Sequence, residues 1–461
     1  MVFASISFVF VFLPIFLLAY AAVGSRWRNA TLLVFSWVFY AWWRPGFLPL
    51  IVSIALWSWC TGLWIERVPE RQKRWALLAG IAWPLVALVW FKYANLLHDT
   101  ARSIGVPLGA WQAVILPIGL SFFVFGAISY SVDVYSGTVA AEPNFVNYAT
   151  YQSMFGHLVA GPVVRYEWVA ERLQRRAFHA AEFAAGAERF MLGFAQKILL
   201  ADTLAPLVTS GYQLTSPSAA DAALTVLAYA LQLYFDFCAY SGMAIGLGLM
   251  VGLRFPENFD APYLAGSLSE FWRRWHISLS GWLRDYLYIP LGGSRQSLPR
   301  SCMNLLITMA LGGLWHGASW TFMVWGLWHG AGLAAERLWR ARGGAKLPFW
   351  AGHAAMLLFV MAGWLLFRAE TWTQVSTLLA ALGGKHGWQV SSAFAAVSRP
   401  NQAACLLIGI ALVYLPAAWS RWERGRAYGE ALLRYLAVPL WLVALCVLQG
   451  RTVVPFLYFQ F

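Results

Sequence analysis

FWRRWHISLSGWLRDYLYIPLGG at 271–293, followed by LLITMALGGLWHGASWTFMVWGLWHG at 305–330, decides how this chain is read. Charged residues crowd 273–300 and vanish from 301–335, so a basic aromatic segment runs directly into a long apolar one. His276 lies in the first, and His316 and His329 in the second. An apolar run of that length predicts helix at membrane depth. An ionisable side chain is costly to place there and points to function.

The rest of the chain agrees with a membrane setting. Of its 461 residues 60% are hydrophobic and 11% charged, against about 25% charged in soluble domains. Apolar runs fall at about 4–23, 29–43, 47–65, 75–92, 111–132, 143–164, 187–209, 219–253, 302–336, 349–367, 402–420 and 432–449. Their continuity excludes an alternating β-barrel pattern. They predict an all-α polytopic protein of about eleven spans. The runs 219–253 and 302–336 are each long enough for two elements. The 27 tryptophans cluster near run ends (Trp37, Trp42, Trp43, Trp64, Trp75), as interface anchors do.

Net charge is +13, and no nucleic-acid motif accompanies it. Arginine and lysine in short loops facing anionic lipid account for the excess. The clusters after 4–23 (Arg26, Arg28), after 47–65 (Arg67–Arg74) and at Arg421–Arg426 are expected in the cytoplasm, with both termini on the opposite, periplasmic side. The N-terminal run lacks a basic leader and reads as a retained span. Residues 165–186 alternate charge at helical spacing and predict an interfacial amphipathic helix, with His179 solvated. Cys60, Cys238, Cys302, Cys405 and Cys446 show no ligand or disulfide spacing and read as small buried apolar residues.

Polar residues at depth are few. Lys92 and Lys197 are expected to snorkel. Asp236 needs a cation or several donors, so structural pairing is expected ahead of catalysis. No GxSxG elbow or HExxH motif occurs, which excludes those hydrolase and zinc chemistries. A histidine base that activates an incoming hydroxyl remains, and this is the chemistry of acyl transfer to an alcohol. His276 and His316 are expected to share one site. His316 and His329 both lie in LWHG, but on one continuous helix 13 residues turn them about 140° apart. A break near Gly317–Ser319 would free that geometry. His329 is expected to be structural, its ring nitrogens hydrogen-bonded.

The two opening stretches resemble the membrane-bound O-acyltransferase (MBOAT) family, the first in its W-(Asn or His)-…-W-L motif, the second in its membrane histidine. Similar stretches are YAWWRPGFLPL (40–50), LPIGLSFFVF (116–125), HLVAGPVVRY (157–166), YFDFCAYSGMAIGLGLMVGLRFPENFDAPY (234–263), GWLLFRAE (363–370) and PFLYFQF (455–461). Gly242 departs from the family's usual acidic residue. The resemblance implies one MBOAT transmembrane domain over 1–461, with a catalytic core at about 115–340 and helices ringed around a tunnel. It implies His316 as catalytic base and His276 as the second functional position, orienting the donor or stabilising an oxyanion. Trp275, Trp315, Asp236, Tyr240 and Arg284 would line the donor and acceptor path. Arg273, Arg274 and Arg284 read first as positive-inside anchors and second as attractors of donor phosphates. The implied function is inner-membrane O-acetylation of an exported polysaccharide, alginate foremost and bacterial cellulose as alternative. Acetyl-CoA would be the cytoplasmic donor, no cofactor or metal would be bound, and a periplasmic protein would relay the acetyl group. From a different class, a non-enzymatic transporter or export scaffold competes, suggested by the many spans.

Overall fold

A computed structural model describes residues 2–176, 178–419 and 423–451. Among them the chain is all α-helical save one isolated antiparallel bridge between Phe259 and Trp275. Among the described residues six helices are long and apolar enough to cross a membrane: Pro45–Arg67, Glu70–Ser103, Ala180–Gln213, Ala219–Met250, Phe349–Arg368 and Ala431–Gln449. Phe8–Ala22, Leu120–Tyr135 and Pro400–Leu415 are shorter apolar helices. Trp42, Trp64 and Trp75 are exposed near helix ends, as anchors would be.

Apolar runs and long apolar helices do not coincide one to one among the described residues, because hydrophobicity reports burial in protein as readily as burial in lipid. The run 143–164 folds as two short helices, Phe145–Ser153 and Phe155–Leu158. Asn144 caps the first, its Oδ1 accepting from Val146 N at 2.8 Å, and Met154 breaks the pair with an extended ψ of 122°. From Tyr148 to Val164 this segment is buried in protein. The run 219–253 is not two elements but one helix of 32 residues, Ala219–Met250. Ser218 and Asp221 cap its start reciprocally: Asp221 Oδ2 accepts from Ser218 N at 2.9 Å, and Ser218 Oγ from Asp221 N at 3.1 Å. No proline interrupts it, and Gly252 at φ 77° lies just beyond its end.

The run 302–336 does divide, into Leu298–His316 and Trp320–Ala341. Ser319 ends the break as N-cap, its Oγ accepting from Phe322 N at 3.4 Å. Glycine lets these two helices touch: a Cβ at Gly330 would lie 3.0 Å from Leu306 Cα. The stretch 165–186 is not one amphipathic helix. It holds Tyr166–Gln174 and, separately, the start of the helix from Ala180. His179 is exposed, as expected.

Two compact units emerge: Met1–Phe190 with Ser241–Glu257, and Met191–Tyr240 with Asn258–Phe461. Phenylalanines pack the first, with Phe155 at 5.3 Å from Phe12 and 5.1 Å from Phe16. Tryptophans pack the second, where Trp364 lies 4.9 Å from Trp275 and 6.0 Å from Trp325. All five cysteines are free thiols, but Cys405 alone of the five is buried: Cys238 and Cys302 are half-buried, and Cys60 and Cys446 are exposed. The cluster Arg421–Arg426 includes residues outside the described ones, and PFLYFQF at 455–461 lies wholly outside them.

Candidate active site

The site is assembled in the second unit from a short buckle and a helix end. Leu268–Arg274 begins at a capping box: Ser267 Oγ accepts from Glu270 N at 3.2 Å, and Glu270 Oε2 accepts from Gly266 N at 2.9 Å. Arg274 Nε donates to Glu270 Oε1 at 3.0 Å. The helix stops at Trp275, and a second, Ile277–Leu283, starts after His276. His276 therefore carries a left-handed φ of 45°, which a non-glycine residue adopts only when its surroundings impose it. Those surroundings are the strand-like residues 258–260. Asp260 N donates to Arg274 O and Ile277 N to Asn258 O, both at 3.0 Å.

The same asparagine sets the tautomer of His276. Asn258 Oδ1 accepts from the backbone N–H of Ser278 at 3.2 Å and from Ser278 Oγ at 2.8 Å. A backbone N–H can only donate, so the atom is an acceptor oxygen. His276 Nδ1, 3.1 Å away, must then carry the proton. Nε2 is left with the lone pair. His276 is wholly buried, and burial pushes its imidazole down to about 3. A neutral ring with its proton committed to Asn258 offers an acceptor at Nε2. That suits accepting a hydrogen bond from a hydroxyl; of the two roles the resemblance implied, orienting the donor and stabilising an oxyanion, a neutral ring with this proton placement does not suit the second.

His316 closes the helix Leu298–His316, whose chain leaves in extended geometry at Gly317. Its ring centroid is 6.3 Å from that of His276, across 40 residues of sequence. Aromatic rings enclose the pair. Phe237 meets His276 at 4.5 Å, and Trp315 lies 6.2 Å from His276 and 5.0 Å from His316. Trp325 and Phe367 meet His316 edge-on at 5.1 and 5.4 Å. Trp275 is buried beside His276, with Phe271 stacked on it at 5.6 Å.

Other expected site residues are placed differently. Asp236 and Tyr240 are buried one turn apart on the helix that supplies Phe237. Asp236 Oδ1 takes a hydrogen bond from Lys197 Nζ at 2.8 Å, and Asp202 Oδ1 takes another at 2.8 Å. Lys197 is 2% exposed, so it does not snorkel. It starts a π-helical turn, Lys197–Ala201, and lies between the two carboxylates. Arg451 donates to Thr203 Oγ1 at 3.1 Å nearby. Lys92, 6% exposed, likewise lies in a π-helical turn and donates to Ser121 Oγ at 3.1 Å. Arg284 is exposed and holds both oxygens of Asp285, at 2.7 and 3.1 Å.

His329 is fully buried among rings: Trp325 at 5.0 Å, Trp272 at 5.2 Å, Phe359 at 5.7 Å and Trp364 at 6.1 Å. Neither ring nitrogen has a hydrogen-bond partner among the described residues, which corrects the expectation that both would be satisfied. Beside these rings, Gly363 packs against the imidazole, where a Cβ would come within 2.7 Å of Nε2. Asn258, which motif reading passed over, is the side chain that holds His276 Nδ1–H. Its signal was an amide in an otherwise apolar-to-acidic turn, PENFDAP at 256–262.

Sequence comparison agrees with this architecture. Residues 136–366 match the model of the MBOAT, membrane-bound O-acyltransferase family. The chain is 41% identical to the probable alginate O-acetylase AlgI of Pseudomonas putida, covering 100% of both chains. It is 44% identical to that of Azotobacter vinelandii, over 90% of this chain and 84% of the relative. The peptidoglycan O-acetyltransferase of Helicobacter pylori is 32% identical over 82% of this chain and 79% of the relative. The chain belongs to the membrane-bound O-acyltransferase family. It is a membrane protein and an acyltransferase.

Proposed function

We propose that this protein is an inner-membrane O-acetyltransferase that passes acetyl groups from cytoplasmic acetyl-CoA toward an exported polysaccharide, alginate first among the acceptors. The observation that carries the reading is the buried His276–His316 pair, at 6.3 Å, in a chain alike over its full length to a probable alginate O-acetylase. His316 acts as general base. It takes the proton of the acceptor hydroxyl as that oxygen bonds to the acetyl carbonyl carbon, then returns it to the departing thiolate. His276, with Nδ1–H held by Asn258, presents Nε2 as an acceptor that orients the hydroxyl. Trp275 and Trp315 exclude water, which would otherwise compete for the acetyl group. A periplasmic relay protein delivers the acetyl group to the polymer. The catalytic core spans about 115–340 of a single transmembrane domain.

The test is polymer-bound acetate in cells carrying the wild-type chain or His316→Gln at matched membrane levels. The variant should make unacetylated alginate. Normal acetylation by a folded His316→Gln protein would remove the proposal and leave the transporter or scaffold reading. Acetate lost from peptidoglycan or cellulose instead of alginate would keep the chemistry and change the acceptor.

A further inference from the structure

A cleft in the first unit has a composition that the acyl-transfer reading does not use. Ser25, Arg26, Asn29, Leu173, Gln174, Arg175 and Arg176 line about 820 Å³ of space, open solvent included. Three of these residues are cationic, and no carboxylate lines the cleft. Two segments 140 or more residues apart in sequence are joined there by Asn29, whose Nδ2 donates to Leu173 O and to Asn147 Oδ1, each at 2.7 Å.

Arg176 is held in place without being neutralised. Arg176 donates from Nη1 to Tyr20 Oη at 2.8 Å and from Nε to Arg172 O at 3.4 Å. Its Nη2 is buried with no acceptor among the described residues. Arg28, next to the cleft, lies 5.6 Å over the Tyr20 ring, and its Nε is likewise buried without an acceptor. Arg26 and Arg175 are exposed and make no ion pair among the described residues. The closest acid in sequence beyond the cleft's second segment, Glu182, is already engaged by Arg172 and Arg254.

A helix start adds to the same field. Arg28–Ala41 begins beside Ser25 and Asn29 with no side-chain cap and no acid in its first turn. The single turn Ser25–Trp27 leads into it and Arg28 N–H donates to Ser25 O, so it is the helix dipole that favours an anion there. Arg175 and Arg176 also suit the C-terminal end of Tyr166–Gln174, where cations are favoured. That does not account for Arg26, on the opposite segment. Concentrated guanidinium donors with no carboxylate match the tetrahedral oxygens of a phosphate group.

We propose that this cleft is a phosphate-binding site, taking the headgroup phosphate of an anionic phospholipid or the phosphates of a soluble ligand. The inference is independent of the acyl-transfer reading, since none of its residues belongs to the histidine site.

The full chain, purified in neutral detergent, is titrated with phosphatidylglycerol, phosphatidylcholine or inorganic pyrophosphate while Tm is followed. Arg26→Gln and Arg175→Gln, singly and together, break no ion pair among the described residues, and each variant's response to a probe is read against its own Tm without probe. Arg342→Gln, exposed and outside the cleft, is the control for diffuse charge. At least one phosphate probe should raise the wild-type Tm, and the double variant should need about tenfold more of it for the same rise. Arg342→Gln should titrate as wild type. A response to phosphatidylglycerol alone assigns a lipid headgroup, and a response that includes pyrophosphate assigns a soluble phosphate. The proposal fails if no probe raises the wild-type Tm, if the double variant titrates as wild type, or if Arg342→Gln weakens binding equally.

Discussion

Asn258 Oδ1 lies 3.1 Å from His276 Nδ1 and thereby decides which ring nitrogen of His276 faces the candidate site with a lone pair. Asn258→Leu removes that acceptor and also strands Ser278 N–H and Oγ. Acetyl transfer should fall by about tenfold or more, in line with the loss of a partner that orients a functional histidine. Asn258→Asp keeps an acceptor and adds negative charge, so it should retain more activity and raise the apparent pKa of His276. A pH–rate profile of the three proteins distinguishes the cases; coincident profiles would remove Asn258 from the mechanism.

The two histidines should not be equivalent. His316→Gln cannot take up a hydroxyl proton and should cost about 10²-fold or more in kcat. His276→Gln retains an acceptor oxygen and should cost less. Equal losses in the single variants, with no further loss in the double, would mean that the pair acts as one unit.

His276 also gives a pH signature in stability. Its ordinary value of 6.5 is lowered to about 3 by burial. Above 6.5 the ring is neutral in both folded and unfolded chains, so it contributes no slope. Between 6.5 and 3 the unfolded ring binds a proton that the folded one excludes, and stability falls as pH falls. Tm in detergent, measured from neutral pH downward, should therefore drop more steeply for wild type than for His276→Gln. Parallel curves would contradict the burial of a neutral ring.

For His329, unpartnered nitrogens inside an aromatic cage predict tolerance of an apolar side chain of similar size. His329→Leu should keep activity and leave Tm unchanged or higher, because no hydrogen bond within the described protein is lost. His329→Gln should be the less stable of the two, since it also buries an amide. A His329→Leu protein that folds but is inactive would place His329 in the chemistry.

Lys197 serves two carboxylates, Asp202 and Asp236, so the three are unequal under substitution. Asp236→Asn leaves Lys197 paired with Asp202. Lys197→Met leaves two buried carboxylates facing each other and should be destabilised by about 3–5 kcal/mol or fail to accumulate. Quantifying folded protein by fluorescence-detected size exclusion ranks the variants. A Lys197→Met protein as stable as wild type would mean that Asp202 and Asp236 are buried uncharged.

Sequence by itself determined the class of this protein. Continuous apolar runs with little charge require helices that satisfy their own backbone, and the motifs around His276 and His316 announced the acyl-transfer family. It also located the break at Gly317–Ser319, where a glycine and a cap-forming serine interrupt the apolar run 302–336. Tertiary structure alone decided which runs form long helices, since 143–164 folds as two short helices buried against protein. It decided that Lys197 turns inward, because its partner Asp236 lies 39 residues away and no local pattern reveals the pair. It set the proton on His276 through Asn258, and it left the nitrogens of His329 among rings even though its LWHG context repeats that of His316. Periodicity and composition report what each residue avoids or seeks along one helix. Which distant group meets it is fixed only when the helices pack.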